Sequence, residues 1–450
     1  MPRPLRVAVV GAGPAGIYAA DSLLKAERDF DVSIDLFERL PAPFGLVRYG
    51  VAPDHPRIKG IIGALEKILD RGDVRVLGNV EYGVDLKLDD LRTFYDAVIF
   101  STGCIRDAAL DIPGIDLPGS YGAAEFVNWY DGHPDAPRTW PLDATSVAVI
   151  GAGNVALDVA RMLAKHADDL LPTEIPDNVY AGLKSSSVTD VHVFARRGPA
   201  QVKFTPLELR ELGHVPGVDV IVYPEDFDFD EGSNAAIHAS HQTKQVVRTL
   251  TNWTLNDPTG APRRLHLHFL HAPHSVLGAD HVDGLRTERT RLTGDGSVEG
   301  TGEFHDWDVQ AVYRAVGYTG SPLTDLPFDA RRGVIPNDAG RVLDLDGNPI
   351  PGVYTTGWIK RGPVGLIGHT KGDALETIAN VVADQGSLAA PESPEPAAVT
   401  DFLTERGVEY TDWNGWRVLD THERSLGEPQ GRERVKVVSR EEMLKVSLGG

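Results

Sequence analysis

Two apolar runs along the chain end in nearly the same glycine turn: residues 7–20 read VAVVGAGPAGIYAA and residues 147–160 read VAVIGAGNVALDVA. Each run is short and continuous, as in a strand buried on both faces, and each turn leads into apolar positions at helical spacing. The first copy predicts a strand over 5–10 and a helix through 17–24; a second strand follows over 32–37. Residues 95–104, YDAVIFSTGC, predict another buried strand that ends in Thr-Gly. Beyond the second turn, apolar runs predict strands over 190–194 and 309–316. No third copy of the turn occurs, so stacked repeats are excluded, and two separate sites for phosphate-bearing ligands are expected.

The turn residues carry the chemistry. Gly11 permits a tight turn, Gly13 lets a pyrophosphate approach the backbone, and Gly16 lets helix and strand pack closely, with the phosphate at the positive end of the helix. The next strand ends at Glu38, whose carboxylate can accept from both hydroxyls of an adenosine ribose and would repel a 2′-phosphate. Alone it would be an ordinary strand-end charge; after a complete turn it selects FAD or NAD over NADP. In the second turn Gly151 and Gly153 are followed by Ala156 in the third place. There the strand over 190–194 ends in Ala195-Arg196-Arg197, and two guanidinium forks in place of a carboxylate suit a 2′-phosphate, hence NADP.

Composition narrows the classes. A chain of 450 residues with 42 % apolar content is long enough for two or three domains. Its 44 basic and 65 acidic residues leave a net charge of −21, which disfavours general attraction to nucleic acid or to an acidic membrane. Cys104 is the only cysteine, so an intrachain disulfide, a CxxC redox pair and a cysteine-held iron–sulfur cluster are excluded. The opening MPRPLRVAVVGAG lacks the pattern of a signal peptide and no run of 18 apolar residues occurs; a cytoplasmic protein without a membrane span is expected. In HLHFLHAPH, residues 266–274, His266 and His268 share a strand face; no carboxylate or thiol cluster completes a shell nearby, and the strand is expected to be exposed and free of metal.

Three further stretches, LPAPFGLVRYGVAPDHPRIK at 40–59, FTPLELRE at 204–211 and GWIKRGPVGLIGHTKGDALETI at 357–378, closely resemble adrenodoxin reductase and the bacterial ferredoxin–NADP reductases of its type. The likeness runs over nearly the whole chain. It implies an α/β fold of two Rossmann-like dinucleotide-binding domains, glutathione reductase-like, with the NADP domain inserted into the FAD domain. On that basis residues 1–104 and 317–450 form the FAD domain and residues 105–316 the NADP domain. AAPESPEPAA, residues 389–398, has the composition of a surface linker, and the tail from Tyr410 onward is expected to pack on the FAD domain.

Carried over by position, the resemblance places Ala15, Glu38, Leu46 and Val80 around FAD, with Trp358 and Gly365, Leu366 and Ile367 near its flavin end. For NADP it implicates Asn154, Val155, Ala156, Arg196, Arg197, Glu208 and Gly365; Arg106 departs from the family's spacing and stays outside the set. His55 and Glu211 match a polar pair near the flavin, for which a structural hydrogen bond and a catalytic role both remain open. The implied reaction takes hydride from NADPH to FAD and then passes single electrons to a separate iron–sulfur ferredoxin, with a cytochrome P450 downstream as an open possibility and the enzyme itself a monomer. Docking of an acidic ferredoxin needs a local basic face; Lys244 and Arg248, one helical turn apart, and Arg210, Arg263 and Arg264 are the candidates. Two alternatives remain, an NADPH-dependent flavin monooxygenase or oxidase, and a binding protein that senses FAD and NADPH without turnover. The FxGxxxHxxxW signature of Baeyer–Villiger enzymes is absent.

Overall fold

The computed structural model describes residues 3–365 and 368–450, together with the backbone of Ile367. The chain forms two compact units, one of Met1–Arg106, Asp131–Pro134 and Tyr318–Gly450, the other of Asp107–Tyr130 and Asp135–Gly317. In chain order the first unit begins with strands β1 (Leu5–Val10), β2 (Val32–Glu38), β3 (Val74–Gly78) and β4 (Ala97–Phe100). The second contributes β5 (Ser120–Gly122), β6 (Ser146–Ile150), β7 (Asp190–Ala195), β8 (Val218–Val222), β9 (Arg263–Phe269), β10 (His271–Leu277), β11 (Gly284–Leu292), β12 (Val298–Trp307) and β13 (Ala311–Arg314). The first unit then resumes with β14 (Asn337–Asp338), β15 (Arg341–Leu343) and β16 (Pro349–Thr355).

The first unit holds a seven-stranded sheet in the order β14-β15-β16-β4-β1-β2-β3. Its β16, β4, β1, β2 and β3 run parallel, and β15 and β14 add an antiparallel edge. Every residue of β1 is buried, as its continuous apolar run requires. The helix Pro14–Lys25 starts on a proline, whose missing N–H would have had no partner in the first turn, and it buries Ile17, Ala20 and Leu23 in a core shared with Ile378 and Val381. The second unit holds an all-parallel six-stranded sheet in the order β5-β13-β6-β7-β9-β8, and a separate antiparallel sheet β10-β11-β12. In both parallel sheets the strand that leads into the glycine turn, β1 or β6, is where successive connections switch direction, and ligands bind at the carboxyl ends of the strands at such a point.

Buried ion pairs tie distant segments into the first unit. Asp131 is fully buried between Lys59, at 3.4 Å, and Lys436, at 3.5 Å, while the ring of His133 packs edge-on against Tyr49 with centroids 5.0 Å apart. These contacts hold residues 131–134 away from the unit that the neighbouring chain builds. The tail joins the same unit: Trp416 packs edge-on against Phe44, and Glu423, fully buried, accepts from Arg48 at 3.0 Å and Arg434 at 3.3 Å. The expected linker is shorter than its composition suggests. Pro396 opens a helix, Pro396–Glu405, because proline is compatible with the first helical position. No described helix is long and apolar enough to cross a membrane.

The histidine strand is buried, contrary to the sequence expectation. His192 on β7 lies opposite His266 on β9, with ring centroids 4.3 Å apart and planes 8° from parallel; His268 meets His192 through a 3.0 Å nitrogen–nitrogen hydrogen bond. Trp307, from β12, covers His268 at 4.4 Å. The ligand nitrogens of His192, His266 and His268 lie within 4.8 Å of one another, but nearly parallel planes leave their in-plane lone pairs without a common focus, and the rings pack as an aromatic stack. Burial pushes all of them toward the neutral form, His192 to about 4 with the neighbouring His266 adding to the shift, and His271 to about 4 with Arg289 adding to it. His266 and His268 move the same way. Between pH 6.5 and about 4 the unfolded chain therefore takes up protons that the folded chain refuses, and stability falls as the pH falls, by on the order of 1–3 kcal/mol per ring. Urea midpoints measured across that window should decline, and His268→Phe, which keeps the stack and removes one titrating ring, should make the decline shallower; an unaltered slope would refute this account.

Candidate dinucleotide sites

In the first unit the glycine turn is built by steric exclusion. A Cβ on Gly11, whose φ is +108°, would lie 2.7 Å from the carbonyl oxygen of Ser101, and one on Gly16 would lie 2.1 Å from the carbonyl of Gly11 and 2.6 Å from Ser101 Oγ. The ends of β1 and β4 and the start of the helix are thereby brought into contact. Gly13 differs: the nearest atom to a Cβ there is Gly45 Cα at 4.0 Å, so this side of the turn is open. Ser101 fastens the arrangement by donating to the carbonyls of Val10, at 3.0 Å, and Gly11, at 2.8 Å.

Glu38 stands at the end of β2 beside this turn. Its carboxylate accepts from the backbone N–H of Ala12 at 2.9 Å and of Leu40 at 3.2 Å, so it braces the turn as well as facing the cleft. Desolvation pushes its pKa above the ordinary carboxylate value, and those two N–H groups oppose the rise. Val80, buried, donates its N–H to the Glu38 carbonyl at 2.9 Å. Leu46 opens a one-turn helix, Leu46–Tyr49, behind Gly45, and Phe44, at φ +82°, donates to the Ala12 carbonyl at 2.8 Å. Ala15 lies against Gly357, where a Cβ would come within 2.6 Å of the alanine methyl.

The third wall of this site follows β16. Gly357, at φ +75°, precedes the one-turn helix Trp358–Arg361. Asp373, on the helix Ile367–Asp384, holds this stretch by accepting from Thr356 Oγ1 at 3.0 Å and from the Gly357 N–H, and by pairing with Lys360 at 3.1 Å. Trp358 is half-buried, and Gly365, at φ +87°, is exposed just before that helix. Leu366 and the side chain of Ile367 lie outside the described residues. His55 is buried and caps the helix Pro56–Lys59 with its carbonyl, which accepts from Ile58 and Lys59.

The second unit repeats the turn with different tolerances. A Cβ on Gly151 would lie 2.3 Å from the Ala315 carbonyl, on β13's side of the sheet, whereas one on Gly153 would meet nothing within 4 Å. Ala156, in the third place, is fully buried, so here the helix Asn154–Ala164 accommodates a methyl where the first turn cannot. Asn154 accepts from the N–H of Thr205 at 2.8 Å, which ties the helix start to the 205 loop, and Thr205 in turn caps the helix Pro206–Leu212 through the N–H of Glu208. Val155 is half-buried and Glu208 is buried. Arg196 and Arg197 follow β7, whose Phe194 carbonyl accepts from Gly151 at 3.0 Å, so the strand end that carries them stands at the turn. Both side chains are exposed, and among the described residues neither makes an ion pair. Glu211 lies on the helix Pro206–Leu212, 4.0 Å from Arg161, and Arg106 is exposed.

Sequence reasoning missed Ser101 and Asp373. The first had a signal in STGC, directly before the Thr-Gly end of the strand; Asp373 had none, because its partners lie 13 to 17 residues away across a turn. The donor sets fit two different ligands. The first offers an open glycine, a helix start and a half-buried carboxylate, and would hold the unphosphorylated ribose and the pyrophosphate of FAD. The second offers the same open glycine with two uncommitted guanidinium groups, and would hold a 2′-phosphate.

Comparison with known proteins identifies the family. The family model described as pyridine nucleotide-disulphide oxidoreductase matches residues 5–199. The NADPH-ferredoxin reductase FprA of Mycobacterium tuberculosis is 41 % identical, over 99 % of this chain and all of its own length. The mitochondrial NADPH:adrenodoxin oxidoreductase of Arabidopsis thaliana is 36 % identical, over 98 % of this chain and 95 % of its own. Among solved structures, that of Mycobacterium tuberculosis FprA in complex with NADPH superposes with a TM-score of 0.92 at 40 % identity, covering 99 % of this chain and 100 % of that one. The chain belongs to the adrenodoxin reductase-type ferredoxin–NADP reductases, NADPH-dependent flavoprotein oxidoreductases.

Proposed function

We propose that the first unit holds FAD, the second holds NADPH, and the enzyme moves electrons from NADPH to a separate iron–sulfur ferredoxin, with a cytochrome P450 as an onward acceptor. The observation that carries this reading is the charge after each glycine turn: a half-buried carboxylate bracing the first, two free guanidinium groups beside the second. The names of the relatives, NADPH-ferredoxin reductase and NADPH:adrenodoxin oxidoreductase, support the same direction. Bound FAD supplies the exchange between a two-electron hydride and one-electron carriers, which no side chain of this chain provides.

The chain's own residues bind, orient and neutralise. Gly11, Gly13, Ala15 and Gly16 bring the helix start to the pyrophosphate, while Glu38, Leu46 and Val80 line the adenosine side. Trp358 and Gly365 to Ile367 bound the flavin end, where the positive start of the helix Ile367–Asp384 favours negative charge. Gly151, Gly153, Asn154, Val155, Ala156, Arg196, Arg197, Glu208 and Gly365 serve NADPH. Hydride transfer needs alignment and no protein acid or base, so His55 and Glu211 act as tuning or structural groups. For ferredoxin, Lys244 and Arg248 are exposed on the helix His241–Trp253 and Arg210 is exposed on its packed neighbour. Arg263 and Arg264 leave the set, since Arg263 donates to the carbonyls of Ala164 and Lys165 and Arg264 pairs with Asp190.

Three experiments test these assignments. Gly13→Ala and Gly153→Ala should fold as the parent does, because nothing blocks the added methyl, yet weaken FAD and NADPH respectively by roughly tenfold; Gly11→Ala should lower thermal stability, because its methyl meets backbone. Equal melting temperatures for Gly11→Ala and Gly13→Ala would contradict that division. Neutralising Arg196 and Arg197 should raise KM for NADPH by about 10- to 100-fold, the value of one or two charge-assisted hydrogen bonds, and leave NADH kinetics unchanged. Finally, NADPH should bleach the flavin band anaerobically and reduce cytochrome c only when ferredoxin is added. Charge reversal at Lys244 and Arg248 should slow that coupled reaction and spare ferricyanide reduction; equal slowing of both would move the docking face elsewhere.

A further inference from the structure

The motif GWIKRGP carries two adjacent cations with opposite fates. Lys360 is buried and fully engaged, paired with Asp373 at 3.1 Å and with Glu376, and it donates to Thr377 Oγ1 at 3.2 Å. Arg361, the next residue, has both terminal nitrogens enclosed by protein, and among the described residues they reach no hydrogen-bond acceptor and no carboxylate. A guanidinium withdrawn from water without a counter-charge carries a penalty of several kcal/mol, and such a group persists where its field acts on something. Its charge is felt by the Cys104 thiol, which burial raises to about 12 against the pull of Arg361, and which donates to the Trp358 carbonyl at 3.4 Å. A protonated thiol cannot balance the charge.

The sheet order says what can. Adenosine belongs over β2, at Glu38, and the pyrophosphate over β1, at the glycine turn. The remaining half of the dinucleotide must extend over the other neighbours of β1, which are β4 and then β16. Arg361 closes the one-turn helix that follows β16, on the side of β1 toward which the ring system would extend. Oxidised flavin is neutral. A hydride brings two electrons and one proton, leaving NADP+ behind and one net negative charge on the reduced ring.

We propose that Arg361 sets the reduction potential of the bound flavin, its enclosed and unpaired positive charge favouring the reduced, anionic ring over the oxidised, neutral one. The effect passes through space at low dielectric, since the nitrogens are enclosed; Arg361 is a positioning charge and does not touch substrate. This rests on FAD being the ligand of the first unit, and the parent holoenzyme, with its own flavin spectrum and potential, checks that separately.

The test is the two-electron midpoint potential, measured by dye equilibration in Arg361→Met, which removes the charge and keeps the stem, and in Arg361→Lys, which keeps the charge. Arg361→Met should favour oxidised flavin at least about tenfold more than the parent does, a fall of about 30 mV, and Arg361→Lys should recover most of that fall. If Arg361→Met releases its cofactor, the same ratio is read by titrating the variant with FAD and with dithionite-reduced FAD. A parent-like potential in Arg361→Met, equal loss of affinity for both forms of FAD, or the same fall in both variants would overturn the proposal, the second result assigning Arg361 to the pyrophosphate.

Discussion

The first unit depends on a backbone contact that only glycine allows. With no Cβ on Gly16, the helix start reaches the carbonyl of Gly11 and the hydroxyl of Ser101, where a methyl would stand 2.1 and 2.6 Å away. From this approach the rest follows: the positive end of Pro14–Lys25 is fixed over β1, the Ala12 N–H is turned toward Glu38, and the Phe44 N–H reaches the Ala12 carbonyl, which lays Gly45 over Gly13. The second unit solves the same problem less tightly. Gly151 is still pressed against a neighbouring carbonyl, but Ala156 carries its methyl into the interface, so helix and strand there tolerate one more carbon.

Two sites of one topology are then told apart by charge and by how that charge is satisfied. Glu38 is desolvated and already accepts two backbone N–H groups, so it is a fixed part of the wall, and there it would reject a phosphate by repulsion and accept hydroxyl donors. Arg196 and Arg197 are exposed and without ion pairs among the described residues, so their forks are available to an incoming dianion. Buried carboxylates need their partners built in, whereas an exposed guanidinium remains hydrated until its ligand arrives. The difference suits the first site to a resident ligand and the second to one that is exchanged.

Much of this was legible because strand and turn are local. The run LRVAVV is a strand over its predicted span, Leu5–Val10, since an unbroken apolar run bounded by a glycine turn leaves little freedom. The strand predicted over 95–104 shortens to Ala97–Phe100 because Ser101 turns its hydroxyl to the Gly11 carbonyl and the ladder ends there. What could not be read was set by partners distant in sequence. Asp131 leaves its neighbours for Lys59 and Lys436, and no periodicity marks a buried ion pair closed across 305 residues. The histidines of β9 looked exposed because their cover, His192 and Trp307, comes from other strands. Arg361 sat in plain view inside a recognisable motif, but that its terminal nitrogens reach no partner among the described residues is a property of the packed unit and of no local pattern.

The loop after β16 is held by one carboxylate. Asp373 gathers Thr356, the Gly357 N–H and Lys360 onto one carboxylate, and Gly357 and Gly362 take left-handed conformations on either side of Trp358–Arg361. A one-turn helix has too few internal hydrogen bonds to hold its own shape. Its orientation therefore comes from Asp373, anchored on an 18-residue helix whose own start faces the same end of the sheet. The clamp serves both neighbours at once. By satisfying Lys360 it leaves Arg361, among the described residues, as the uncompensated charge of the loop, and by fixing the backbone it holds that charge in place. One carboxylate thus decides which of two adjacent cations would be left to act on a ligand of the first unit.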